Sequence, residues 1–313
     1  MQAVVIHEGA LLVQHRPDPE PGVRQVLVRV RAAGINAADL LQRQGHYPAP
    51  PGVPADIPGM EFAGEVVGCG PTATRFAPGD RVMGVVGGGA QAQLLVVDER
   101  EIMAVPDAVG WVAAGGFPEV FTTAHDALFT QAGLAVGERV CIHGAAGGVG
   151  VAGVQLAVAA GADVVATVRS EVMRSRLAAM GVTAIDPADA AAHGPYDVIL
   201  ELVGGPNLPG DVATLAIGGR ITVIGVGAGA KAEVDLLALM SKRGRIHGST
   251  LRARPPEGKA AAARAVERHI LPHLAAGRVE VPIHATFPLT GAEDAYNHFA
   301  AGHKFGKIVL TVD

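Results

Sequence analysis

VCIHGAAGGVGVAGVQLAVAAGADVVATVRS, residues 140–170, reads as a buried strand, a glycine turn, a helix and a second strand. Val140, Cys141 and Ile142 form a short apolar run. Gly147 and Gly150 have the spacing of the last two glycines in a GxGxxG fingerprint, with Ala145 at the first glycine position. Such a turn has to be tight, let the backbone approach a pyrophosphate closely, and offer free N–H groups at a helix N-terminus. Gly147, Gly148, Val149 and Gly150 are placed to supply this, so the stretch reads as a dinucleotide site. Residues 140–162 carry no Asp, Glu, Lys or Arg, which raises the question of a membrane span. The glycine turn and the strand-like start argue against one.

The end of the second strand sets the cofactor. Folds that prefer NAD place an Asp or Glu there to bind the adenosine ribose 2′-hydroxyl. This chain has Val168, Arg169 and Ser170, with Arg174 one helical turn further on. A guanidinium pairs with a 2′-phosphate and a hydroxyl donates to it, so the pattern favours NADPH. The competing reading makes Arg169 and Arg174 solvated surface residues.

Working outward, 313 residues exceed the usual span of one domain and predict two. With 49% hydrophobic and 18% charged residues the chain is globular, and with 4% aromatics its cores must be built from alanine, valine and leucine. A net charge of −5 without a long basic run argues against nucleic acid or an anionic membrane as the main partner. Cys69 and Cys141 are too few for a disulfide framework or a cysteine-rich zinc site. The start, MQAVVIHEGA, lacks the pattern of a signal peptide, and a cytoplasmic protein is expected.

Valine-rich alternation predicts strands over 2–6 and 25–33, separated by Pro17, Pro19 and Pro21. Asn36 opens a short helical pattern, AADLLQRQ, and HYPAPPGVPADIPG follows as a loop that cannot be helix. Strands over 61–70, 81–86 and 92–97 complete a small barrel-like domain. From about Trp111 the pattern becomes strand, helix, strand, which is a parallel α/β sheet. A helix over 170–180 and strands over 182–185, 197–203, 220–225 and 245–249 bring that sheet to six strands. Pro255 and Pro256 mark a boundary before a long helix, 257–275. Pieces at 283–287, 292–300 and 307–312 resemble the first domain, so the chain is expected to re-enter it.

GINAADLLQRQGHYP at 34–48, IPGMEFAGEVVGCG at 57–70, APGDRVMG at 77–84, HGAAGGVG at 143–150 and FGKIVL at 305–310 together resemble the zinc-free quinone oxidoreductase branch of the medium-chain dehydrogenase/reductase superfamily. LQRQGHYPAPPG and GGGAQAQ bring it nearest to the p53-inducible quinone oxidoreductase subgroup. The resemblance implies an α/β protein: a GroES-like β-barrel-type catalytic domain, 1–120 with 252–313, and a doubly wound Rossmann domain, 121–251, that binds NADPH. Zinc-dependent relatives carry a cysteine and a histidine where this chain has Asn36 and Met60, which implies no metal. The implied reaction is direct hydride transfer from NADPH to a quinone. Asn36 and Tyr47 would bond the acceptor oxygen, with a helix N-cap and ring packing as their ordinary alternatives.

The same resemblance places Phe121 and Thr123 near the cofactor, Gly225 and Val226 beside the nicotinamide ribose, and Leu251, Arg252 and Lys307 towards the same site. Surface charge is the ordinary reading of Arg252 and Lys307. Members of the nearest subgroup can carry serine at the position of Gly147. Similar enzymes form homodimers through the Rossmann edge strand, here 245–249. An enone or alkene reductase is the rival enzymatic reading, and an NADPH-binding sensor or crystallin-like structural protein the rival of another class. His143 is expected to bond backbone at its strand end, and His125 with Asp126, adjacent on a helix, is not expected to act as a dyad.

Overall fold

A computed structural model describes all residues, Met1–Asp313. The chain divides into two compact units, Met1–Thr122 with Leu251–Asp313, and Thr123–Thr250. Phe121, Thr122 and Leu251 therefore group with the first unit and not with the second.

In the first unit the strand Gln25–Ile35 organises the sheet. Val26, Val28 and Val30 alternate on one face and are fully buried, and further along Ala32 and Ala33 are buried on both faces. The strand pairs antiparallel with Glu61–Cys69, Leu94–Asp98 and Lys307–Thr311. The last pairing joins the C-terminus to the domain that the N-terminus began, and its register, Ile308 opposite Ile35, sets Lys307 beside Asn36. Seven strands make this sheet, and a separate hairpin, Gln2–His7 with Ala10–His15, lies outside it. Ala10–His15 and Ile102–Ala104 are strands that the sequence pattern did not predict. The predicted long helix breaks into Pro256–His269 and Leu271–Ala275, because Pro272 has no N–H to continue the ladder.

The second unit is a six-stranded sheet in the order Thr183–Ile185, Asp163–Thr167, Arg139–His143, Tyr196–Glu201, Leu215–Val223, Arg245–Gly248, with every pair parallel. In chain order this is 3-2-1-4-5-6, the doubly wound arrangement, whose ligand crevice opens where the order reverses at the carboxyl ends of the first and fourth strands. Val140, Cys141 and Ile142 are fully buried, as a central parallel strand requires. The fifth strand starts five residues before the predicted Arg220 and ends short of Gly225, which leaves Gly225 in the loop at the crevice end. No helix is long and apolar enough to cross a membrane.

Candidate cofactor site and buried amide site

The glycine turn enters the helix Gly148–Ala159 through Gly147, an extended N-cap with no side chain to bond the first-turn N–H groups. Those orphan donors are what a phosphate takes. A Cβ on Gly150 would sit 2.6 Å from Ala145 Cα and Gly144 O, so only glycine lets the helix seat against the turn. Gly147 would meet only Gly144 O, at 3.5 Å, and its hydrogen faces open space into which a ligand backbone approach fits. The residue with the left-handed backbone is Gly144, at φ +66°, one place before the first fingerprint position. Ala145 is fully buried and donates its N–H to Thr167 O at 3.1 Å, so alanine meets the demands of that position. At Gly225 a Cβ would run into the Leu202 carbonyl group, and the next residue, Val226, is half exposed.

At the end of the second strand Arg169 is exposed, and Ser170 is the N-cap of the helix Glu171–Ala178 without a side-chain capping bond. Both are available to a 2′-phosphate. Arg174 is partly engaged: its Nη1 donates to Val168 O at 3.1 Å and Arg169 O at 2.8 Å, and pairs with Asp186 at 3.1 Å. Through Nη1 it braces the turn that carries Arg169.

Beneath these loops lies a buried polar hub. His143 bonds side chains and not backbone, with Nδ1 2.9 Å from Thr167 Oγ1 and Nε2 2.9 Å from Asp211 Oδ1. Burial opposes its positive charge, but Asp211 and Cys141 outweigh that and push its pKa up to about 11. Glu201, fully buried, accepts from Val203 N and from Gly204 N at 2.7 Å, and from Asn207 Nδ2 at 3.0 Å. Burial raises its pKa against the pull of His143 and these N–H groups. His143, Glu201 and Asp211 offer ligand atoms within 4.8 Å of one another, yet Nε2 and both Glu201 oxygens are already engaged. The hub reads as an ion pair that ties the loops after three strands together.

In the first unit, Asn36 sits in a second buried network. Its Nδ2 donates to Glu61 Oε1 at 2.9 Å, and its Oδ1 accepts from Lys307 Nζ at 2.7 Å. Lys307 also donates to Ile35 O at 2.7 Å and lies 2.6 Å from Glu61 Oε1, while Glu61 Oε2 accepts from Glu119 N at 2.9 Å. Glu61 and Lys307 are 0% and 3% exposed, so the pair is desolvated. Gly34 makes the room, since a Cβ there would collide with the Glu61 carboxyl. Asp39, in the helix Ala37–Arg43, accepts from Asn36 N at 2.8 Å and Gly59 N at 3.1 Å. Burial raises its pKa to about 6, against those bonds and the Lys307 charge.

Several predicted residues take other roles here. Lys307 is no surface charge, and its three donors are all spent on Ile35, Asn36 and Glu61. Arg252, 4% exposed, donates to Gly87 O at 2.7 Å, Tyr47 O at 2.9 Å and Gln42 Oε1 at 2.5 Å. Its guanidinium lies 4.9 Å from the centre of the half-buried Tyr47 ring. It is the clamp of the proline-rich loop, where a cofactor contact was expected. Phe121 stacks on Phe117 with centroids 4.5 Å apart, as core packing, and Leu251 and Thr123 are buried. Glu61, Glu201 and Asp211 escaped the sequence reading. For the two glutamates the signal was a carboxylate inside an apolar run, MEFAGEVV and VILELVG, which burial makes costly unless paired.

Zinc does not fit this arrangement. Asn36 presents an amide with both ends bonded, and Met60, 4% exposed, presents a thioether, whereas zinc takes thiolate, imidazole or carboxylate ligands.

Residues 22–130 match the alcohol dehydrogenase GroES-like domain and residues 160–310 the zinc-binding dehydrogenase domain. The chain is 36% identical to erythronolide synthase EryA2 of Saccharopolyspora erythraea over 99% of its own length, but spans only 9% of that protein. Against the quinone oxidoreductase of Mus musculus it is 30% identical, covering 93% of this chain and 90% of that one. An alcohol dehydrogenase superfamily protein from Novosphingobium aromaticivorans superposes over the full length of both chains with a TM-score of 0.90 at 31% identity. With both domains matched in order and a full-length relative at this identity, the chain belongs to the medium-chain dehydrogenase/reductase superfamily.

Proposed function

We propose that the chain is a zinc-independent, NADPH-dependent reductase of quinones. The observation that carries this is the Asn36 amide, whose orientation is dictated by its neighbours. Lys307 can only donate, so it fixes Oδ1; Glu61, as a carboxylate, accepts and so fixes Nδ2. One N–H of Nδ2 remains for an acceptor oxygen, and Asn36 keeps 8% exposure. Bound NADPH supplies the hydride. Gly147, Gly148, Val149 and Gly150 hold its diphosphate, Arg169 and Ser170 its 2′-phosphate, and Gly225 and Val226 its nicotinamide ribose. Tyr47 lines the acceptor side with Asn36. A quinone needs little electrophilic help, because hydride addition yields an aromatic hydroquinone anion and solvent supplies the proton, so orientation carries most of the work.

An enone gains from the same N–H donor, which stabilises an enolate as it does a hydroquinone anion, and an enone reductase is the second reading. The unpaired Cys69 and Cys141 suit a reducing, cytoplasmic setting. NADPH oxidation measured across a series of quinones and enones tests the reading, with quinones expected as the faster acceptors. NADPH binding without turnover of any acceptor would leave a sensor or structural protein. Arg169→Glu is expected to move the ratio of kcat/KM for NADPH over NADH down by ten-fold or more, about 1.4 kcal/mol of lost discrimination. An unchanged ratio removes Arg169 from the site.

A further inference from the structure

The buried Lys307–Glu61 pair is costly to desolvate, and a packing role alone does not call for it, since apolar side chains of similar volume fill such a site as well. What the pair does that apolar groups cannot is impose a polarity on Asn36. We infer that Lys307 is a positioning residue that loads Asn36 for catalysis: it locks the amide with its N–H towards the acceptor and strengthens that N–H as a donor. This rests on the proposed function and extends it.

The argument is one of donors and acceptors. An asparagine amide in a symmetric polar setting flips, presenting either an N–H or a lone pair, and a lone pair repels the oxygen of a reacting carbonyl. Here Nζ lies 2.7 Å from Oδ1 and Glu61 Oε1 lies 2.9 Å from Nδ2, so a flipped amide would set N–H against ammonium and carbonyl against carboxylate. The flipped state is excluded on both sides. The ammonium on Oδ1 also draws electron density from the amide nitrogen, which makes the remaining N–H a better donor as negative charge develops on the acceptor oxygen, in a site dry enough for the effect to count. The fold makes the contact obligatory. Lys307 opens the last strand, whose register places Ile308 opposite Ile35, and its third bond, to Ile35 O, holds the amine at the end of the strand that Asn36 follows. Because all three ammonium protons are spent, Lys307 neither donates a proton to the product nor binds a phosphate of the cofactor.

The test uses the full-length protein with two variants. Lys307→Met alone strands the Glu61 carboxylate, so the informative form is the double variant Glu61→Gln/Lys307→Met, which removes both charges with side chains of similar length. Asn36→Asp, near-isosteric, keeps a partner for Lys307 and removes the N–H. Affinity for NADPH is read by fluorescence titration without any acceptor, and kcat and KM across quinones of falling reduction potential. Asn36→Asp is expected to lower kcat by about 100-fold, as for removal of an oxyanion donor, and the double variant by about 10-fold. Both should leave the Kd for NADPH unchanged, and the loss should grow for acceptors whose reduced anions are more basic. An unchanged kcat in the double variant overturns the inference. So does a weakened Kd for NADPH that accounts for the lost activity, which would make Lys307 a cofactor ligand. If the unmodified protein reduces no acceptor, the functional reading fails first and the inference falls with it; turnover by the unmodified protein with an indifferent double variant sinks the inference alone.

Discussion

His143 shows how much one side chain can be asked to do in an apolar sheet. Its ordinary pKa of 6.5 rises to about 11 in the fold: burial works against the imidazolium, and the Asp211 hydrogen bond and Cys141 more than compensate. A folded pKa above the unfolded one means that the stabilisation is complete below pH 6.5 and is lost as pH climbs through 11. Urea unfolding of the native protein should therefore show stability falling between about pH 7 and about pH 10.5. Asp211→Asn keeps the shape but removes the charge partner, and should cost about 3 kcal/mol at neutral pH while flattening that alkaline decline. Parallel stability curves for the two proteins would mean that His143 is neutral in the fold. Asp211 was not legible as its partner from the sequence, because 68 residues separate them and only the packing of a helix on the sheet joins them.

At the scale of elements, the glycine turn was legible as a site because its demands are local: a strand, a tight reversal and a helix start lie within a few residues. The first fingerprint position carries Ala145 in place of glycine, but the left-handed backbone of the turn falls on Gly144, and Ala145 is a buried residue bonded to Thr167 O. Restoring the consensus with Ala145→Gly should thus gain no affinity for NADPH and cost about 0.5–1 kcal/mol of stability through backbone entropy. Gly144→Ala should be the damaging change, losing about 1–2 kcal/mol to left-handed strain and weakening NADPH binding. Thermal melts and fluorescence titration compare the two, and tighter binding by Ala145→Gly would refute this account. Of the elements missed, Ile102–Ala104 is a strand because it closes against Arg81–Val85, distant in sequence, while Ala10–His15 completes a tight hairpin with Gln2–His7. Arg252 and Lys307, expected towards the cofactor with surface charge as the ordinary alternative, are buried because strand register and a loop bring carbonyl oxygens to them.

For the whole molecule, we propose a second copy of this chain as the partner that covers the exposed apolar surface of the second unit. Its sixth strand, Arg245–Gly248, pairs with Leu215–Val223 on one side only and leaves the other edge open. On the preceding helix, Leu236–Lys242, the side chains Leu236, Leu237 and Met240 are 67%, 74% and 71% exposed. An open edge beside uncovered apolar side chains is an aggregation hazard that a two-fold partner removes, by extending the sheet across the axis and covering both helices at once. Light scattering at micromolar concentration should accordingly give twice the chain mass. The double variant Leu237→Glu/Met240→Glu should give a monomer whose circular dichroism is unchanged, because both side chains are exposed in the single chain and contribute little to its own core. A native protein that runs as a monomer, or a double variant that stays dimeric, would assign this apolar face to something other than a copy of itself.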